Sequence, residues 1–272
     1  MESKMKKLLL LLLLTFSLQS CENKTQKITE NLKSQSLEKE IGSSSENETE
    51  NNTPPSKFAE IIDKDGFVNV RNGTSVQSEI VDKINSGEIV YIFNIGNDNE
   101  DWLIIDYHKK DDFLTGYVHT SRIKPISDYE YIPSVTDGEN GVEFYLRNIE
   151  VIIKSEAFNY QQNKKYFAEE QLSDKSVIQK YKGQEVWGTD GTIPRTHYTS
   201  ITARIGNLTI EIPEKEIENL FNVNNELAYC YFNEKTETLY ITSSNSDGSG
   251  SYDVLFIIEK GKYKGRRMYY AS

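Results

Sequence analysis

The sequence predicts a mainly β chain: a small β-barrel followed by a β-rich α+β domain with an antiparallel sheet. Three observations carry that expectation. From Phe58 to about Ile126, short alternating apolar runs recur roughly every ten residues with turn residues between them. Residues 140–272 are long enough for an independent domain and hold 12 of the 17 tyrosines. Within them, paired apolar runs flank tight turns at Gly206-Asn207 and Lys260-Gly261.

Residues 1–20 read as an address. Lys4, Lys6 and Lys7 precede seven consecutive leucines, Leu8 to Leu14, and Thr15-Phe16-Ser17-Leu18 follow. A basic start before a short apolar run is the pattern of a secretory signal. The apolar run is about eleven residues, short of the roughly twenty needed to span a bilayer as a helix. Leu18-Gln19-Ser20-Cys21 resembles a bacterial lipobox, with an apolar residue at −3, a small one at −1 and the cysteine that receives the lipid. Gln19 departs from the small residue usual at −2. The resemblance implies cleavage before Cys21, lipidation of its sulfur, and a membrane anchor holding the protein in a bacterial cell envelope. Two acyl chains anchor stably where one binds only marginally.

Residues 21–56 then form the lipidated cysteine and a disordered tether. After Cys21 the segment has no aromatic residue, only Ile28, Leu32, Leu37 and Ile41 as large aliphatics, and ends in Asn51-Asn52-Thr53-Pro54-Pro55. Such a segment buries too little apolar area to offset its ordering entropy. As a flexible coil it reaches roughly 30–35 Å.

Residues 57–127 carry the barrel. In Gly66-Phe67-Val68-Asn69-Val70-Arg71 the valines fall on one face and Phe67 and Asn69 on the other. Asn72-Gly73 marks a turn. Glu79 to Ile84, Glu88 to Asn94, Trp102 to Tyr107 and Gly116 to His119 read as further strands, and Ser121-Arg122-Ile123 as a helical turn before Pro125. Val68, Val70, Ile80, Val90 and Val118 are the expected core, and Gly66, Gly87 and Gly116 serve backbone shape.

Four blocks in this order, Gly-Phe-Val-Asn-Val-Arg, Ser-Gly-Glu before a strand, Asp-Trp-Leu, and Gly-Tyr-Val-His-Thr-Ser-Arg-Ile, resemble bacterial SH3-like (SH3b) domains. The resemblance covers about a quarter of the chain. It implies a small antiparallel barrel acting as a binding module for cell-wall or peptide ligands, without catalysis. Its ligand surface would be lined by loops and aromatics: Arg71, Trp102, Tyr107, Tyr117 and His119, with the acids of the Asn97–Asp101 loop favouring cationic amines. The Trp102 indole either packs over the barrel mouth or faces a ligand.

Ser127 to Glu139, polar and turn-rich, reads as the interdomain connection. In the β-rich domain of residues 140–272, Val142–Ile153, Tyr198–Ile205, Leu208–Ile212, Leu227–Phe232, Thr238–Ser243, Tyr252–Glu259 and Lys262–Tyr270 read as strand regions. A helix is expected around Ser173–Tyr181, and a short one opened by Pro213. No family resemblance is evident in this half.

Composition restricts the chemistry. With 42 acidic against 31 basic side chains and a net charge of −11, the chain lacks the basic stripe of a nucleic-acid binder. Two cysteines exclude a disulfide scaffold and a multi-cysteine zinc site. Cys230, flanked by Tyr229 and Tyr231, has no histidine after it and reads as a buried thiol in a strand. His197 is a lone histidine. The loops Gly188-Thr189-Asp190-Gly191 and Asn245 to Gly250 suggest calcium, but an EF-hand count from Asn245 places Phe256 where the bidentate glutamate belongs. No cofactor, metal or catalytic residue is assigned. The expected function is a lipid-anchored envelope protein whose barrel binds peptidoglycan or an envelope peptide or protein. A cell-wall hydrolase with its site in residues 140–272 is the alternative from another class. An envelope inhibitor or immunity-type protein is a third.

Overall fold

Two strands early in the chain are buried on both sides, and the architecture follows from what covers each side. They are β1 (Phe58–Ile61) and β4 (Ile89–Ile92), which pair antiparallel with Phe58 opposite Tyr91 and Ala59 opposite Val90. Ala59, Ile61, Val90 and Ile92 face one core, while Phe58, Ile89 and Tyr91 face another. The computed structural model describes residues 56–93, 101–110, 112–172 and 175–271. Residues 1–20, Cys21, the tether as far as Pro55, and Asn97 to Glu100 lie outside the described residues. Among the described residues no helix is long and apolar enough to cross a membrane.

The first core belongs to a curled seven-stranded sheet, a half-barrel. Its other members are β2 (Phe67–Arg71), β3 (Ile80–Asn85), β5 (Trp102–Lys109), β6 (Asp112–His119) and β7 (Ile123–Pro125), in the order β3-β2-β6-β5-β4-β1-β7. Val68, Val70, Ile84, Val90, Ile105, Tyr107 and Val118 fill its inside. Gly66 and Gly87 adopt φ of +81° and +88°, the left-handed region a Cβ disfavours. Gly116 has a different reason: a Cβ there would lie 2.3 Å from Cγ1 of Val70. Ile80, expected in the core, is instead 48% exposed. The pairing of β2 with β3 shifts register between Val70 and Arg71, which turns Ile80 outward and leaves Ile84 as the buried residue of this strand.

The remaining strands make a sandwich. One sheet runs β16 (Leu208–Glu211), β15 (Thr196–Ile205), β11 (Ile149–Ala157), β10 (Gly141–Leu146), β9 (Ser134–Gly138). The other runs β20 (Lys262–Tyr270), β19 (Tyr252–Glu259), β18 (Thr238–Asn245), β17 (Ala228–Asn233), β8 (Glu130–Ile132), and all its pairings are antiparallel. Between them lie Phe144, Val151, Ile201, Cys230, Ile241, Val254 and Phe256 among others. The segment expected to connect domains, Ser127 to Glu139, therefore supplies two strands. Ile132 is buried opposite Cys230, and Pro133 marks the corner where the chain passes from one sheet to the other.

The helix expected around Ser173–Tyr181 is absent as such. Ser173 lies outside the described residues, and Lys175–Tyr181 forms β13, paired with β12 (Phe167–Leu172) and β14 (Gln184–Glu185). Its register shifts at Ala168/Glu169, leaving Gln179 as an extra residue. That bulge buries both Ile178 and Tyr181, three apart, a spacing that reads as helical in sequence. Pro213 opens a single 3₁₀ turn, Glu214–Glu216.

The second core is the seam between half-barrel and sandwich. Phe58, Tyr91 and Ile126 meet Tyr231, Tyr240, Leu255 and Tyr269. Tyr91 stacks on Tyr269 with centroids 4.6 Å apart, and its hydroxyl donates to Asp253 Oδ2 at 2.6 Å. Glu60 accepts from the hydroxyls of Tyr129 and Tyr240 at 2.5 and 3.1 Å. Asp106, opposite Tyr91 and buried, accepts from Thr115 Oγ1 at 2.5 Å. Burial raises its pKa, only partly offset by the threonine bond. An acid raised in the folded state stabilises the fold below its unfolded pKa and loses that contribution as the pH rises through the folded value. Asp106→Asn should therefore melt higher than the parent at pH 7, with the gap closing as the pH falls toward the ordinary carboxylate range. A variant that melts lower at pH 7 would show the charge to be stabilising.

Candidate ligand cleft on the barrel face

Alternation along three neighbouring strands sets the site. Val68 and Val70 point inward from β2, so Phe67, Asn69 and Arg71 point outward. Val118 points inward from β6, so Tyr117 and His119 point outward. Arg71 lies opposite Tyr117, and Trp102 opposite His119, so these four share one outer face. All four are half-buried.

Each is held by its neighbours. Arg71 Nη1 donates to Ser78 O at 2.6 Å, tying the loop that follows β2 back onto the strand. The His119 ring meets Trp102 edge to face at 5.3 Å. Its Nδ1 accepts from the Ser121 amide at 3.2 Å and lies 2.9 Å from Ser121 Oγ, capping the 3₁₀ turn Thr120–Arg122. In the neutral ring this leaves the proton on Nε2. Arg122 Nη1 bonds Asp63 Oδ2 at 2.7 Å across 59 positions, and Asp63 Oδ1 also accepts from the Asp65 amide at 2.8 Å.

These side chains border an open cleft of about 400 Å³, within the size range of small-ligand sites. Arg71, Trp102 and His119 line it together with Asp63, Asp65, Phe67, Asn69, Val76 and Arg122. Phe67, Val76 and Trp102 supply apolar surface, and the rest hydrogen-bonding groups. Asn69 Oδ1 is buried and makes no hydrogen bond.

Of the five residues expected to bind ligand, the structure brings three into the cleft and Tyr117 onto its flank. Tyr107 is excluded. It is 4% exposed in the half-barrel core, and its hydroxyl donates to Asp82 at 3.1 Å. Its place was legible, because alternation along Ile105-Asp106-Tyr107 puts it on the same face as Ile105. Trp102 lies on the outer face and lines the cleft. Asp101, the described acid of the loop expected to favour amines, is not among the lining residues. Asp63, Asp65, Asn69 and Arg122 were not anticipated. Nothing local in the sequence joins Asp63 to Arg122, though Asp63-Lys64-Asp65-Gly66 is a recognisable turn.

The other candidates are structural in their contacts. Cys230 is fully buried in β17, and burial pushes its thiol well up. His197 lies edge-on to Phe158 with Nε2 3.4 Å from Glu156 Oε1, and burial lowers its pKa, with Glu156 opposing. The Asp190 loop and the Asn245–Gly250 loop close on each other: Ser249 Oγ donates to Asp190 Oδ2 at 3.1 Å and Ser246 Oγ to Gly188 O at 2.7 Å. Their seryl hydroxyls meet acceptors supplied by the facing loop, the work of interlocking turns. The sequence matches no protein-family model, and neither a curated protein nor a solved structure was found to match it.

Two substitutions separate core from cleft. Tyr107→Ala should cost about 3–5 kcal/mol, as a buried aromatic truncation. Trp102→Ala should cost under about 2 kcal/mol, because its indole is half solvated. Urea unfolding measures both, and equal losses would contradict the placement of the two rings.

Proposed function

We propose that this chain is a lipid-anchored binding protein of the bacterial cell envelope, with an SH3b-type barrel whose cleft takes a cell-wall or envelope peptide ligand. One observation carries the binding reading: Arg71, Trp102 and His119, far apart in sequence, converge in one open cleft with Tyr117 beside it. Flat rings with polar edges beside a guanidinium suit peptides and amino sugars. The lipobox-like Leu18-Gln19-Ser20-Cys21 and the aromatic-free segment behind it support the anchor. Tethering raises the local concentration of the cleft near an envelope ligand without any added contact.

Co-sedimentation with purified peptidoglycan sacculi tests the binding half. A chain beginning at Glu22 should pellet with sacculi. The double variant Trp102→Ala/Tyr117→Ala, checked by circular dichroism, should stay in the supernatant. Failure of the parent to bind sacculi, envelope peptides and envelope proteins alike would overturn the reading.

The anchor has its own readout. In a bacterial host the full chain should incorporate labelled palmitate and partition with membranes. Cys21→Ala should do neither, and undiminished labelling of that variant would remove Cys21 as the lipid site.

A further inference from the structure

Hydrogen-bonding capacity left over in the cleft is lopsided. Arg71 has five N–H donors, uses one on Ser78 O, and has no carboxylate partner among the described residues. The Trp102 indole N–H and the Nε2 side of His119 likewise have no acceptor among the described residues. On the acidic side, Asp63 is engaged by Arg122 and the Asp65 amide, and Asp65 stands exposed. A single acceptor, Asn69 Oδ1, is buried and unpaired. The cleft thus offers several donors, one of them a fixed positive fork.

Resting on the binding function proposed above, we infer that the cleft selects the free carboxylate at the end of a short peptide. A terminal carboxylate meets the guanidinium in the planar two-bond geometry an arginine fork is shaped for. Phe67, Val76 and Trp102 give the preceding side chains an apolar wall. A cleft of about 400 Å³ is of a size for the last two or three residues of a peptide. A neutral glycan would bring Arg71 no counter-charge. An amine could pair with the exposed Asp65 but would leave Arg71 without a counter-charge. The Arg71 fork therefore favours an anionic group, whereas Asn97 to Glu100, expected to favour amines, lie outside the described residues.

The test uses the chain from Glu22 carrying Trp187→Phe, which leaves Trp102 as the one tryptophan and makes its fluorescence the reporter. N-acetyl-trialanine with a free carboxyl terminus is titrated against the same peptide as its terminal amide. The free acid should change Trp102 emission and the amide should bind at least about tenfold more weakly, the usual worth of a charge-assisted bond. Arg71→Gln should bring the two peptides to the same weak affinity. Arg71→Lys, which keeps the charge and loses the fork, should fall between, and dichroism checks that both variants are folded. Equal binding of acid and amide, discrimination that survives Arg71→Gln, or silence toward both peptides at millimolar concentration each overturn the inference. Sacculi separate the two levels. Pelleting that depends on Trp102 and Tyr117 without peptide binding leaves the cleft's function standing and removes the carboxylate. Binding of the free acid without pelleting keeps the carboxylate and removes the wall as its source.

Discussion

The seam of aromatic rings between half-barrel and sandwich is the constraint on which the rest depends. β1 and β4 are buried on both faces, and an isolated barrel would expose Phe58, Ile89 and Tyr91 to water. Covering them requires the sheet that presents Tyr231, Tyr240, Leu255 and Tyr269. Each buried ring removes on the order of 150–250 Å² from water. The polar tips are mostly met: Tyr91 by Asp253, and Tyr129 and Tyr240 by Glu60. Tyr269 Oη is the exception, buried without a partner. A buried hydroxyl left unpaired carries a desolvation cost, and the stacking of Tyr269 on Tyr91 is what holds it there. Half-barrel and sandwich consequently form one compact unit within Thr53–Ser272, not beads on a string.

That seam decides which face is left for a ligand. The β5–β6 hairpin is used at both ends. His108 and Phe113, near its turn, lie 5.2 and 5.4 Å from the Tyr269 ring, while Trp102 and His119 pair at its open end. Six residues of strand separate His108 from Trp102, roughly 20 Å at 3.3 Å per residue. Packing against the sandwich therefore does not cover the cleft.

Much of this was legible in the sequence because period-two alternation is a local signal. It placed Val68, Val70 and Val118 inside, put Arg71, Tyr117 and His119 outside, and located the β17–β18 and β19–β20 hairpins. It failed where register shifts intervened. Ile80 sits beyond a shift and turns outward, and the bulge at Gln179 made a strand imitate helical spacing. It was silent on long-range partners. Phe-Ala-Glu-Ile and Ile-Val-Tyr-Ile do not say that a sheet some 150 residues later will cover their second face. The polar look of Ser127 to Glu139 concealed Ile132, whose burial depends on Cys230. Tyr107 was misassigned by residue type, where its phase with Ile105 already gave the answer.

Charge sharpens what kind of recognition the cleft can support. The chain is acidic overall, at −11, and removal of three lysines and one glutamate with the first twenty residues would make it more so. Such a protein is not steered over long distances toward an anionic ligand, because its field opposes the approach. At physiological ionic strength that field decays over about 8 Å, whereas a guanidinium within bonding distance acts at about 3 Å. Arg71, with no carboxylate partner among the described residues, therefore gives selectivity by contact without electrostatic capture, and association would be slow unless the ligand is already near. The proposed membrane tether supplies that nearness. On that proposal, anchor and cleft would be two halves of one device, the anchor providing encounter and the arginine fork with its aromatic neighbours providing choice.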